Sequence, residues 1–154
     1  MTPPPARYYT FGRTVGGTPD IDLHPQLARD CRWLGRLVAC QVLLMNDSHY
    51  PWLVLVPNQA GLTDWDQLPE MLVPGVHDDI RHACQALREL FQPDKLNVAA
   101  LGNVVPQLHI HVVARFHRDA AWPGPVWGFQ PPLPYAERVL REQTTRLCTA
   151  LGVG

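Results

Sequence analysis

The sequence predicts an α+β protein, with one antiparallel sheet of about five strands carrying packed helices in a single domain. Three observations predict this. Apolar runs of strand length follow one another across short turns, which favours antiparallel neighbours over long crossovers. Between and after them lie stretches with apolar residues three and four apart, the period of an amphipathic helix. The chain has 154 residues with no repeat and no linker-like segment, enough for one substantial core without metal or disulfide staples.

Residues 1–7, with three prolines in a row, read as a flexible N-terminal tail. Tyr8, Tyr9, Thr10 and Phe11 form a short predicted strand before the Gly16-Gly17 turn. Asp22 is placed to cap a helix with Pro25 in its first turn, where proline is tolerated. Leu23, Leu27, Cys31 and Leu34 follow helical spacing, and Gly35 suits the stop. Residues 37–45 are nearly all apolar and predict a buried strand. Asn46, Asp47, Ser48 and Pro51 supply turn chemistry. Residues 52–56 form the partner strand of a hairpin, ended by Pro57-Asn58. Thr63 and Asp66 mark a short capped turn. Val76, Ile80, Ala83, Cys84, Leu87, Leu90 and Phe91 trace one face of a helix that Pro93 stops. Residues 96–101 predict a strand, and Gly102-Asn103 turns the chain into the next one. Residues 116–132 form a long proline-rich loop bearing Trp122, Trp127 and Phe129, too aromatic for a simple linker. Tyr135, Val139, Leu140, Gln143, Leu147 and Leu151 trace a last helix. Residues 118–154 thus complete the domain begun at residue 8.

Composition narrows the function classes. The net charge is −1 and there is no dense Lys/Arg tract, which argues against a broad nucleic-acid or membrane-surface footprint. No apolar run is long enough to span a bilayer, and the N-terminus shows no signal-peptide core. Cys31, Cys40, Cys84 and Cys148 form no Cys-x-x-Cys pair, so a zinc framework is not expected. They read as small core residues of a protein in a reducing, cytoplasmic setting.

The chemistry concentrates in Asn103-Val104-Val105-Pro106-Gln107-Leu108-His109-Ile110-His111-Val112-Val113-Ala114-Arg115. Leu108, Ile110, Val112 and Ala114 alternate with Gln107, His109, His111 and Arg115, a strand's period of two. Gln107, His109 and His111 then form a polar ladder on one face, neighbours being roughly 7 Å apart. Packing alone would not select histidines there. A His-x-His strand also suits a metal centre, but no third ligand stands at matching spacing, so no metal is assigned.

This run resembles the signature of the histidine triad (HIT) family of nucleotide hydrolases and transferases, His-φ-His-φ-His-φ-φ with φ apolar. Gln107 takes the first position, His109 the second and His111 the third. Arg115, four residues after His111, and Asn103 upstream fit the pattern's flanks. By order of elements the resemblance covers roughly residues 8–117. It implies the HIT fold and a homodimer of joined sheets. The 116–132 loop and last helix have no counterpart in it, and Trp122 and Trp127 would cover either a neighbouring subunit's site or their own loop.

The resemblance assigns nucleophilic attack on an α-phosphorus to His109, giving a nucleotidyl-histidine that water resolves. Imidazole suits this near neutral pH, because much of it is unprotonated. His111 would donate to phosphate oxygen or orient His109. Gln107 departs from the triad: an amide donates hydrogen bonds but is no practical acid. A good leaving group is then favoured, hence dinucleoside polyphosphates over nucleoside phosphoramidates. Asn46 or Asp47 would bind ribose, and Asn103 phosphate or leaving group. Arg115 would close on phosphate or pair with a carboxylate. The covalent step implies no cofactor, although Mg²⁺ would accompany a polyphosphate. A non-catalytic nucleotide-binding protein on the same fold is the competing expectation.

Overall fold

A computed structural model describes residues 21–154. The expected tail and the strand at residues 8–11 lie outside the described residues. Helix α1 (Pro25–Asp30) places Pro25 in its first turn, as expected. Its cap is His24 and not Asp22: His24 Nδ1 accepts the backbone N–H of Gln26 at 3.1 Å. The helix also stops sooner than its spacing suggests. Cys31–Arg36 is a strand, β1, paired antiparallel with β2 (Cys40–Met45) across a bulge between Trp33 and Gly35. Cys31 and Leu34 match a helical period by coincidence; hydrogen bonding to β2 decides their conformation.

The remaining elements are β3 (Trp52–Pro57), α2 (Val73–Phe91), β4 (Lys95–Ala99), β5 (Ile110–Arg115) and α3 (Glu137–Leu151), with two short 3₁₀ turns between β3 and α2. The five strands lie in the order β1-β2-β3-β5-β4, every neighbouring pair antiparallel. The predicted five-stranded antiparallel sheet is therefore present, with β1 as a strand the spacing had assigned to helix. In the first 3₁₀ turn Gln67 Oε1 accepts the N–H groups of Thr63 and Asp64, so that turn is capped by residues 64 and 67 where 63 and 66 were expected.

Both faces of the sheet are covered. Val42, Leu44, Leu53, Leu55, Ile110 and Val112 pack on one face against Val76, Ala83 and Leu87 of α2 and Leu147 and Leu151 of α3. Leu43, Trp52, Val54, Val56 and Val113 pack on the other, against Leu23 and Leu27 from the α1 region and Val105, Ala121 and Val126 from loops. Central strands buried on both faces read as continuous apolar runs, which is why residues 40–45 and 52–57 lack alternation.

Two polar anchors fix the periphery. Asp79 of α2, 2% exposed, accepts the N–H groups of Val38, Ala39 and Cys40 at 3.1, 2.7 and 2.8 Å, tying the helix to the β1–β2 turn. Arg115, 1% exposed, bonds both carboxylate oxygens of Asp119, Oδ1 of Asn97 and the carbonyl of Gly124. Its guanidinium also lies over the Tyr50 and Trp122 rings. A fully engaged buried arginine thus holds the 116–132 loop against the second face of the sheet.

Candidate active site

His109 and His111 lie on that second face, sharing it with Val113 and Arg115, while Leu108, Ile110, Val112 and Ala114 enter the opposite core. The alternation predicts this division correctly. The strand itself begins only at Ile110, so Gln107 and His109 stand on the segment that leads into it. Gly102, at φ 72°, turns the chain from β4 towards that segment, a backbone conformation that favours glycine.

The two imidazoles sit 4.8 Å apart between centroids, edge to face, and are 6% and 5% exposed. Their protons are fixed by different partners. His109 Nδ1 lies 2.6 Å from the Gln107 carbonyl, which can only accept, so Nδ1 carries the proton and Nε2 keeps a lone pair. His111 Nδ1 accepts Trp52 Nε1–H at 3.0 Å, so its proton is on Nε2. The ladder therefore presents one nitrogen acceptor and one N–H donor. Burial lowers the pKa of His109; the bond to Gln107 opposes this, and charge repulsion from His24 adds to it. Burial pushes His111 from the ordinary 6.5 to about 3, with His109 contributing. Both rings are neutral at neutral pH.

His109 borders two cavities. The larger, of about 430 Å³, runs past His111 and is walled by Leu27, Met45 and Val105, with Gln26, Asp30 and Asp47 at its polar margin. The smaller, of about 290 Å³, lies under the first 3₁₀ turn among Thr63, Asp64, Trp65 and Asp66. A groove of about 570 Å³ beside Arg36, Asp79 and His82 touches neither histidine.

The other expected residues separate. Asp47 and Asn103 line the larger cavity with the histidines. Asp47 Oδ1 also accepts the N–H of Leu133 and is 2.6 Å from His49 Nδ1. Asn46 is not among the lining residues; its Oδ1 accepts Tyr135 N–H and holds the chain leading to α3. Gln107 turns its carboxamide towards the N-terminal segment, Oε1 accepting His24 N–H at 2.8 Å and Nε2 donating to the Asp22 carbonyl at 2.9 Å. Arg115 pairs with Asp119 in the loop anchor and is not aimed at the cleft. Trp127 lies on this chain's own site, 5.4 Å from the His111 ring, while Trp122 packs on His117 and Arg115.

Sequence reading missed four contributors: Trp52, His24, Gln26 and Asp30. Trp52 was visible only as a strand residue, because its reach to His111 depends on the β3–β5 register that pairs it with Val113. The other three lie in and before α1, whose distance from residue 109 in sequence hides their approach to it. Among the described residues no group of three His, Cys, Asp or Glu side chains is arranged to hold a metal ion. No helix among them is long and apolar enough to cross a membrane.

Comparison with known proteins bears on the same residues. The HIT domain family matches residues 28–118. A histidine triad protein from Bradyrhizobium japonicum is 39% identical, with 86% of this chain and 99% of that one covered at a TM-score of 0.82. A histidine triad protein from Marinobacter aquaeolei is 44% identical over 85% and 96% of the two chains, also at 0.82. One from Sinorhizobium meliloti is 38% identical over 83% and 95%, at 0.80. No curated protein sequence matches the chain. With the family match spanning more than half of its length and the ladder of His109 and His111 inside that span, the chain belongs to the HIT family.

Proposed function

We propose that the protein is a nucleotide hydrolase or nucleotidyltransferase that works through a covalent intermediate on His109. The observation that carries this reading is the placement of His109 at the border of two cavities, with Nδ1 tied to a carbonyl and Nε2 left with its lone pair. Attack by Nε2 on an α-phosphorus forms the N–P bond as the bond to the leaving oxygen or nitrogen breaks. Water then displaces His109 and releases the nucleoside monophosphate, so one difficult displacement becomes two easier ones. His111 Nε2–H donates to a non-bridging phosphate oxygen, where charge grows in the transition state. Asp47 and Asn103 bind the sugar and phosphates from the larger cavity, whose apolar wall takes the base.

Gln107 cannot protonate a leaving group, so a leaving group that departs as a stable anion fits best. Dinucleoside polyphosphates are the proposed substrates, with Mg²⁺ accompanying the phosphates and no cofactor in the covalent step. A second reading has specific support: Asp64 and Asp66 border the smaller cavity, and paired carboxylates favour a neutral or cationic leaving group. Nucleoside phosphoramidates would supply one. The four free thiols accord with a cytoplasmic enzyme. A homodimer joined at β4 is the proposed assembly.

A panel of dinucleoside polyphosphates and nucleoside phosphoramidates tests both readings. His109→Ala is expected to abolish turnover while nucleotide binding stays within a few-fold, and acid-labile label on histidine should appear only with the native residue. Full activity in the variant would refute the assignment. Binding without turnover or label on any substrate would make the protein a nucleotide-binding module.

A further inference from the structure

Trp33, Trp52 and Trp127 all pack in the apolar cluster on the second face of the sheet. Two of them use the indole nitrogen within the fold. Trp33 Nε1–H donates to Gln41 Oε1 at 3.2 Å, and Trp52 Nε1–H donates to His111 Nδ1 at 3.0 Å. Trp127 does not. Its Nε1–H is buried without an acceptor among the described residues, although the residue as a whole is half-buried and lines the larger cavity. A sealed donor without a partner costs stability, so the fold's own hydrogen bonding gives no reason for an indole where a phenyl ring would pack. The segment that carries Trp127 is pinned on both sides. The Gly124 carbonyl accepts from Arg115 Nη2 at 2.8 Å, and Leu133 N–H donates to Asp47 Oδ1 at 3.2 Å. Between these anchors Trp127, Gln130 and Pro132 border the cavity. Edge-to-face contacts, 5.4 Å to the His111 ring and 5.8 Å to the Trp52 ring between centroids, hold the Trp127 ring in place.

We propose that Trp127 is a specificity-determining residue for the nucleoside half of the ligand, its carbon face stacking on the nucleobase while the phosphate lies at His109 and His111. The proposal rests on the reading of the larger cavity as the nucleotide site. With Nε1 sealed away, Trp127 meets the cavity with ring carbon, the surface on which a base stacks. The charges around the cavity point the same way. Asp30 and Asp47 border it, and no Lys or Arg does. No cation is there to hold further anionic groups, and the two carboxylates repel them, so a flat, neutral group suits this wall. Leu27, Met45 and Val105 supply the rest of the apolar lining, and a volume of about 430 Å³ falls in the range of small-molecule sites. The loop at residues 116–132, for which the family signature has no counterpart, thereby has a task. It is anchored through Arg115 so that one aromatic ring stands beside the catalytic histidines and faces the base.

AMP is a product of the proposed reaction and is not turned over, so its binding to the full-length protein reads the cavity alone. Trp127→Leu should weaken AMP binding about tenfold, as loss of one base–aromatic stack does, and leave ribose 5-phosphate, which has no base, within about twofold. AMP should quench tryptophan fluorescence in the native protein. Trp127→Phe should remove most of that quench while losing only about threefold in affinity, because a smaller ring still stacks. In turnover, Trp127→Leu should raise KM more than it lowers kcat, since stacking is made equally in the ground and transition states. If Trp127 merely props His111, kcat falls instead and AMP and ribose 5-phosphate weaken together. Either result overturns the proposal, as does an unchanged affinity for AMP. Should Trp127→Leu fail to fold, the quench and affinity of Trp127→Phe decide in its place. Native protein that binds no AMP would overturn the nucleotide reading and this proposal with it, whereas AMP binding indifferent to Trp127 removes the proposal alone.

Discussion

At the scale of single residues, the site depends on which nitrogen carries a proton. Trp52 donates to His111 Nδ1, and that bond favours the neutral ring with its proton on Nε2. Burial already holds His111 near a pKa of about 3 against the ordinary 6.5. In the unfolded chain the same ring protonates at the ordinary value. Between about pH 6.5 and 3 the unfolded state therefore binds more protons, and stability falls as pH falls, by up to about 1.4 kcal/mol per unit from this ring. Urea denaturation at pH 7 and pH 5 should show the loss, and His111→Phe should reduce the slope over that window. An unchanged slope would mean that His111 titrates alike in both states. Trp52→Phe keeps the aromatic packing but leaves Nδ1 without its donor, at a cost of about 1–3 kcal/mol. Its His111 midpoint should rise, and turnover should fall by roughly tenfold, as expected when an oriented donor is lost.

Elements come next, and here local pattern and long-range contact divide the explanation. Helix α2 has a period that any reader of residues 76–91 finds, but its position depends on Asp79, one buried carboxylate serving three N–H groups at the β1–β2 turn. Asp79→Ala strips those donors of their acceptor and should lower stability by about 2–4 kcal/mol, with turnover at 20 °C nearly unchanged because neither histidine is touched. Chemical denaturation with a parallel activity assay checks both halves. The same division explains what the chain discloses before folding. The hairpin, α2, α3 and the alternation through 107–115 were legible because each is a local period. Cys31–Arg36 was not: an edge strand takes its identity from β2, and its apolar spacing happened to suit a helix. The site followed suit. His109 and His111 declared themselves by pattern, whereas Trp52 and His24 arrive through pairings 59 and 83 residues long. Asn46 and Arg115 had the right chemistry for a ligand, but the loops beside them claimed it.

At the scale of the whole molecule, the described residues leave one sheet edge open. Of the two outer strands, β1 has the C-terminus against it: Cys148 Sγ donates to the Leu34 carbonyl, and a Cβ on Gly35 would meet Val153 at 2.7 Å. Strand β4 is different, pairing among the described residues only with β5 and exposing Val98 by 46%. Unpaired strand edges bearing apolar side chains invite another strand, unless charge or proline blocks them. Leu101 and Val104, both exposed, extend that apolar surface from the end of β4 towards the mouth of the larger cavity. A second copy adding through β4 would continue the sheet and bring two sites onto one assembly, which is the arrangement proposed above. Light scattering on the native protein should give twice the mass of one chain. Val98→Lys places a charge at the edge and should weaken self-association at least tenfold, while Val38→Lys, at a still more exposed position in the turn after β1, should not. A native protein that stays at the mass of a single chain up to high concentration would remove the dimer, and with it any need for β4 to remain uncovered.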